Sequence, residues 1–209
     1  MAKIKMTKKA TSIDMTAMCD VAFLLLTFFI LTATAKVPEP ITVDTPSSTN
    51  QHKLPTDSLV LVTVGSGKEN VFFDIKGRDI RVKALELMAA KYQLSFTDKQ
   101  IEQFRLMEGF GVPIQKLAAI IDMKSDQRNK AGQQEGIPFD SINNQLKDWI
   151  YTARQANIEI NGSSAVELHF AIKGDAKLEY PKIQKIMDIY QDQKINSFDL
   201  VTGLRDKNY

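Results

Sequence analysis

The chain has little of what enzymes and disulfide-braced proteins are built from. One cysteine, Cys19, stands among 209 residues, so no internal disulfide can form and any fold must rest on a hydrophobic core. Its place in an apolar run disfavours the thiolate, which makes Cys19 a small packing residue rather than a reactive one. Two histidines occur, His52 and His169, far apart and without a cysteine partner, so neither has metal-ligand spacing. No serine sits in a Gly-x-Ser-x-Gly turn, and no acidic pair stands apart from solvated faces. Gly65-Ser66-Gly67 lacks the Gly-Lys-Ser/Thr of a phosphate-binding loop. No basic patch with interleaved aromatics suggests nucleic acid. These absences give no enzyme, no metal and no bound cofactor.

What the chain does have is a long apolar run. Residues 13–35 hold no Lys or Arg, and Val21 to Leu31 packs nine large apolar residues into eleven positions. At about 1.5 Å per residue the run reaches roughly 34 Å as a helix, enough for a hydrocarbon core of about 30 Å. A cleaved secretory leader shares the basic start and the Ala33-Thr34-Ala35 ending. Asp14 and Asp20 fall between the lysines and the apolar core, however, where such leaders lack acids. A buried soluble helix would need a polar face that Val21 to Leu31 does not offer. The run reads as a transmembrane helix.

Asp20 lies inside it. A carboxylate at mid-span costs roughly 2.5–3.5 kcal/mol on an insertion scale, while the nine large apolar residues return about 3–5 kcal/mol. An ionisable group kept at that cost is by default functional: a proton relay, an ion path or a counter-ion. Thr16, Asp20, Thr27 and Thr34 are spaced by four, seven and seven, which makes one polar stripe on a helix. Such a stripe calls for protein or water opposite, because lipid satisfies none of its hydrogen bonds. The alternative is that the threonines bond back to their own helix and Asp20 snorkels to the membrane surface.

Charge orients the span. Residues 1–12 carry four lysines and no acid, while the other 23 basic residues meet 25 acidic ones. A basic stub of this kind stays in the cytoplasm, and the bulk of the chain then lies across the membrane. Residues 36–57 hold four of the seven prolines, which excludes helix and favours an extended tether. Ile41 and Val43 alternate with polar neighbours, so the tether is either a short strand that pairs with a sheet edge or a plain spacer.

Residues 58–209 read as a folded domain. Leu59 to Val64 and Val71 to Ile75 make a hairpin. Residues 79–136 form a helical insertion, with helices expected at Val82–Tyr92, Thr97–Met107 and Ile114–Ile121. Lys124 to Gly136 has almost nothing to bury and is expected to be a mobile loop. A helix over 141–153, capped by Asp140 or Ser141, has the inner face Ile142, Leu146, Trp149 and Ala153. Val166, Leu168, Phe170 and Ile172 alternate as a strand that leaves His169 outward. Pro181 opens a helix over 182–190, and Phe198–Thr202 closes the chain as a strand. The fold class is α+β: one transmembrane helix, a tether, then a small mixed sheet with helices on one face.

Residues 13–31 resemble the ExbD/TolR family, whose pattern is Asn-x-Thr-Pro-x-x-Asp-Val followed by an apolar run. The corresponding residues are Asp14, Thr16, Ala17, Asp20 and Val21, with Asp in place of the Asn and Ala in place of the Pro. Val43, Asp44 and Pro46 are similar to the family's short extended segment. Ile172 to Asp175, Tyr180, Met187-Asp188 and Leu200 to Thr202 are similar to its closing strand, helix and strand. The resemblance covers residues 1–76 and 138–204 and leaves 79–136 as an extra segment. It implies a single-pass subunit of a bacterial inner-membrane motor, present as two copies inside a pentameric ExbB/TolQ-like channel. Asp20 would bind and release protons, which are the coupling ion, and the periplasmic domain would act on a TonB- or TolA-like partner. The process driven would be outer-membrane transport or envelope integrity. The alternative is a membrane-anchored periplasmic binding module in which Asp20 is incidental.

The charge pattern makes a direct prediction about orientation. A reporter that works only outside the cytoplasm, fused after Tyr209, is expected to be active. Activity of a cytoplasm-only reporter at the same position would reverse the topology.

Overall fold

A computed structural model describes residues 15–33, 40–49, 52–55, 57–65, 70–130, 132–162 and 167–204. It separates into two compact units, residues 1–37 and 38–209. In the first, α1 (Met15–Thr32) is one uninterrupted helix of 18 residues. The lysine stub, Asp14, Thr34 and Ala35 lie outside the described residues.

The second unit is α+β. Its main sheet has four strands in the order β3-β2-β4-β5: β2 (Leu59–Val64), β3 (Val71–Ile75), β4 (His169–Gly174) and β5 (Asp199–Val201). The β2–β3 pair is antiparallel, while β4 runs parallel to both β2 and β5, so the sheet is mixed as expected. A second, two-stranded sheet pairs β1 (Ser47–Ser48) with β6 (Gly203–Leu204) in parallel. Helices α2 (Arg78–Tyr92), α3 (Asp98–Leu106), α4 (Ile114–Asp122) and the short α5 (Ser125–Arg128) follow β3. Helix α6 (Gln145–Asn161) precedes β4, and α7 (Tyr180–Asp192) links β4 to β5.

Register puts Val60, Val62, Val64, Val71, Phe73, Ile75, Phe170 and Ile172 on one face, all buried. Helices cover that face. Trp149 of α6 lies 6.1 Å from the Phe73 ring, and Tyr190 of α7 lies 5.5 Å from Phe170. The expected stripe Ile183, Ile186, Met187 and Tyr190 is the inner side of α7. β4 departs from strict alternation at one position: Ala171, between the strands β2 and β5, is as buried as its neighbours, while His169 and Lys173 on the same face are not. Val166, placed in that strand by the sequence, lies outside the described residues.

The segment 79–136 is part of the core rather than an appendage to it. Phe104, Met107, Phe110, Val112, Ile114, Leu117 and Ile121 are buried with the sheet and α6. Phe73 and Phe110 exchange both backbone hydrogen bonds (2.8 and 2.9 Å), and Ile137 N–H donates to the Val71 carbonyl at 2.9 Å. At the end of the same strand, Arg81 donates from Nε to the Ile75 carbonyl at 3.0 Å and from Nη1 to the Arg105 carbonyl at 3.0 Å. Burial pulls the Arg81 pKa down, and the neighbouring Asp74 carboxylate opposes that shift.

Two expectations are corrected. The stretch 124–136 is not simply a mobile loop: it contains α5, and Gln134 is buried, its Oε1 accepting from Gly111 N–H at 2.7 Å. Gly111 continues the edge begun at Phe110, and its N–H needs an acceptor that a featureless loop would not supply. The second concerns the start of α6, where the cap is Asn144, whose Oδ1 accepts from Lys147 N–H at 2.9 Å, and neither Asp140 nor Ser141. A bridge between Phe139 and Asn144 closes a tight loop before the helix begins. Ile142 therefore sits at the loop tip, fully exposed at 101%, and not on the inner face. Helix α3 starts where the sequence places it, with Thr97 and Gln100 forming a reciprocal capping box.

One half-buried pair yields a pH prediction. Tyr92 O–H donates to Asp148 Oδ2 at 2.7 Å, and its pKa is pushed up to about 12, first by burial and then by that bond. The folded state holds this proton to higher pH than the unfolded chain, so its contribution is complete below about pH 10 and fades as pH climbs towards 12. Tyr92→Phe is expected to cost about 0.5–1.5 kcal/mol at pH 8 and to flatten part of the alkaline loss. Urea titrations at pH 8 and pH 11 on both proteins check this.

Candidate functional site

Helix α1 is apolar over most of its surface. Its mean hydropathy is 2.0, it carries no basic residue, and none of its residues is buried by the rest of the chain. Eleven large apolar side chains from Met15 to Leu31 stand exposed, Leu31 at 85%. A soluble core helix would have buried them. Lipid or other subunits must supply the cover that the chain itself does not.

Asp20 falls in the second turn of this helix, with its carboxylate on the surface and no basic neighbour in α1. It lies about four residues, or roughly 6 Å, from the middle of the described span, on its N-terminal side. Thr27 is on the same face, but seven residues of helix put it about 10 Å away, too far for a direct hydrogen bond. Thr27 Oγ1 donates instead to the Leu24 carbonyl at 2.9 Å, and Thr32 Oγ1 to the Phe28 carbonyl at 2.7 Å. This is the back-bonding that the sequence left open for the threonines. It occupies the hydroxyl hydrogen and leaves the oxygen lone pairs facing outward along the stripe. Thr16, one turn before Asp20, is also engaged within the described structure, and Thr34 lies outside it. The structure thus brings Asp20 and Thr27 to one face without joining them. A bridge between them needs water or a partner's side chain.

The tether residues sit on the folded unit. Ile41 Cδ1 comes so near Gly65 that a Cβ there would lie 2.5 Å away, and Pro40 packs beside Gly109. Gly109 has φ +52°, a conformation that suits glycine. The Asp44 carbonyl accepts from Ala176 N–H at 2.7 Å, and the Pro46 carbonyl accepts from Gly203 N–H at 2.9 Å. Val43 is half-buried between these anchors. The strand expected at Ile41 and Val43 does not form; the segment instead pairs further on, where Ser47-Ser48 lies beside Gly203-Leu204. Sequence reasoning missed that partner because a two-residue strand has no detectable period. The consecutive small and polar residues at 47 and 48 resemble any linker.

A prediction follows from this docking. A chain begun at Pro38 is expected to melt a few degrees above one begun at Thr56, since each kcal/mol shifts Tm by about 2–4 °C in a domain of this size. Equal melting temperatures in calorimetry would mean that residues 40–48 add nothing to the fold.

A family model described as biopolymer transport protein ExbD/TolR matches residues 6–204. No curated protein and no solved structure matches. The family match spans the membrane helix, the tether, the segment 79–136 and the closing strands in one stretch. With almost the whole chain covered, from the residues before Asp20 to the end of β6, this protein belongs to the ExbD/TolR family, whose members are inner-membrane-anchored, non-enzymatic subunits of transport motors that work with ExbB/TolQ and TonB/TolA proteins.

Proposed function

We propose that this protein transduces proton-motive force, with Asp20 as the group that takes up and releases the proton. The observation that carries the reading is an acid on an exposed apolar helix that carries no basic residue among those described. Such a helix requires neighbours, and its acid acquires a protonation state that depends on which neighbour it faces. In this reading two copies of α1 lie inside a pentameric ExbB/TolQ-like channel, with the N-terminus in the cytoplasm. A proton entering from the periplasmic side neutralises Asp20 and lets it pass an apolar wall, and release restores the charge. Each elementary charge crossing 100 mV supplies about 2.3 kcal/mol, enough to bias one rotation or shift per cycle. The periplasmic unit, residues 38–209, passes that movement to a TonB- or TolA-like partner, for outer-membrane transport or envelope integrity. Protons are the coupling ion, and no metal or organic cofactor takes part. Lipid-facing residues such as Phe28 serve insertion alone.

The test is Asp20→Asn, which keeps shape and polarity and removes the proton. Insertion is expected to be unchanged or better, because the charge cost of about 2.5–3.5 kcal/mol disappears. Immunoblots of membranes should show normal amounts, while energy-dependent uptake and detergent resistance fall to the level of a deletion strain. Asp20→Glu moves the carboxyl by about one methylene and should retain partial activity or none. Phe28→Leu, off the stripe, should retain full activity. Full activity in a well-inserted Asp20→Asn strain would favour the plain membrane anchor instead.

A further inference from the structure

Within the periplasmic unit, a cavity of about 410 Å³ opens between the end of α6, the start of β4 and the turn after α7. Arg154 and Asn157 line it from α6, Glu167 and Phe170 from the β4 side, and Lys194 and Ile195 from the turn. Its size lies in the range of small-molecule sites, enough for two or three amino-acid residues.

Two cations, Arg154 and Lys194, and one acid, Glu167, line it. Arg154 Nη1 donates to the Gln193 carbonyl at 2.7 Å, which fixes the guanidinium while its other N–H groups have no acceptor among the described residues. Lys194 forms no ion pair among the described residues either. Lys194 has φ +60°, the left-handed cap of α7, a position where glycine is the usual occupant. Its backbone is held there by Lys194 N–H to the Gln191 carbonyl at 2.8 Å and Ile195 N–H to the Tyr190 carbonyl at 2.9 Å. Asn157 is 5% exposed and presents a carboxamide whose Oδ1 accepts from Asn161 Nδ2 at 2.9 Å. Phe170 and Ile195, both buried, supply an apolar wall.

We propose that this cavity binds the free C-terminal carboxylate of a peptide with an apolar last residue. The fixed Arg154 fork and the Lys194 ammonium receive the carboxylate. The Phe170 and Ile195 side chains take the terminal side chain. An inorganic phosphate has nothing to set against that apolar wall. The peptide end could belong to a partner protein or to a short free peptide, in which case Glu167 can meet its ammonium group.

The full-length protein in lipid nanodiscs is titrated calorimetrically with N-acetyl-Ala-Leu and with its C-terminal amide. The acid is expected to bind, with the amide at least tenfold weaker. Arg154→Gln and Lys194→Gly should each weaken binding of the acid at least tenfold, while Lys124→Gln, outside the cavity, leaves it unchanged. Lys194→Gly separates recognition from folding: glycine relieves the left-handed backbone, so Tm should hold or rise as affinity falls. A longer acetylated peptide with the same ending binds at least as well if the natural ligand is a protein C-terminus. Free Ala-Leu binds better if it is a short peptide, and either ranking supports the site. Equal affinities for acid and amide, or unchanged affinity in both cavity variants, would overturn the proposal.

Discussion

The outer edge of β3 sets the plan of the folded unit, residues 38–209. A buried strand cannot leave its outward carbonyls and N–H groups without partners, because each orphaned group costs about 1–3 kcal/mol. Phe110 takes both groups of Phe73, Ile137 takes the carbonyl of Val71, and the Arg81 guanidinium takes that of Ile75. These partners are spread from residue 81 to residue 137, so the whole excursion through α2, α3, α4 and α5 is anchored along one strand. The aromatic cluster follows from it. Once Phe110 is paired with Phe73, its ring falls 4.8 Å from Trp149 and 5.3 Å from Phe104, and α6 and α3 are fixed against the sheet. Sealing the edge also removes a template on which another chain could add a strand.

The membrane unit obeys the same rule in another solvent. In hydrocarbon the backbone must satisfy itself, which a helix does, and the threonine hydroxyls follow by donating to carbonyls three or four residues back. Asp20 is the exception, a group whose charged form the helix has no means to satisfy. Membership of a family of motor subunits gives that exception a context, since a motor needs a site whose comfort changes with its surroundings.

Much of this was legible in the sequence where the pattern is local. The apolar span, the hairpin strands, the helix begun at Thr97 and the Ile186–Tyr190 stripe all rest on patterns within a dozen residues. What escaped depends on contacts distant in the chain. Gln134 looked like one polar residue among many, and only the bare N–H of Gly111, 23 positions earlier, makes it structural. Ile142 looked like a core residue because it fits a helical spacing with Leu146, yet the bridge from Phe139 to Asn144 delays the helix by one turn. Arg154 and Lys194 are 40 positions apart and carry no motif, so no spacing argument could have brought them together. Asp20 was visible from the start because the cost of an acid in an apolar run is itself a local signal.

The docked tether has a mechanical consequence. Asp44 and Pro46 precede β2 in the chain, so tension arriving along the polypeptide from the membrane side meets their hydrogen bonds to Ala176 and Gly203 before it meets the core strands. Those contacts and the two-residue β1–β6 ladder amount to a few bonds, each worth roughly 0.5–1.5 kcal/mol, whereas β2 is held by ladders on both sides. The segment therefore acts as a fuse in series with the domain. It yields first, lengthens the leash, and leaves the sheet intact.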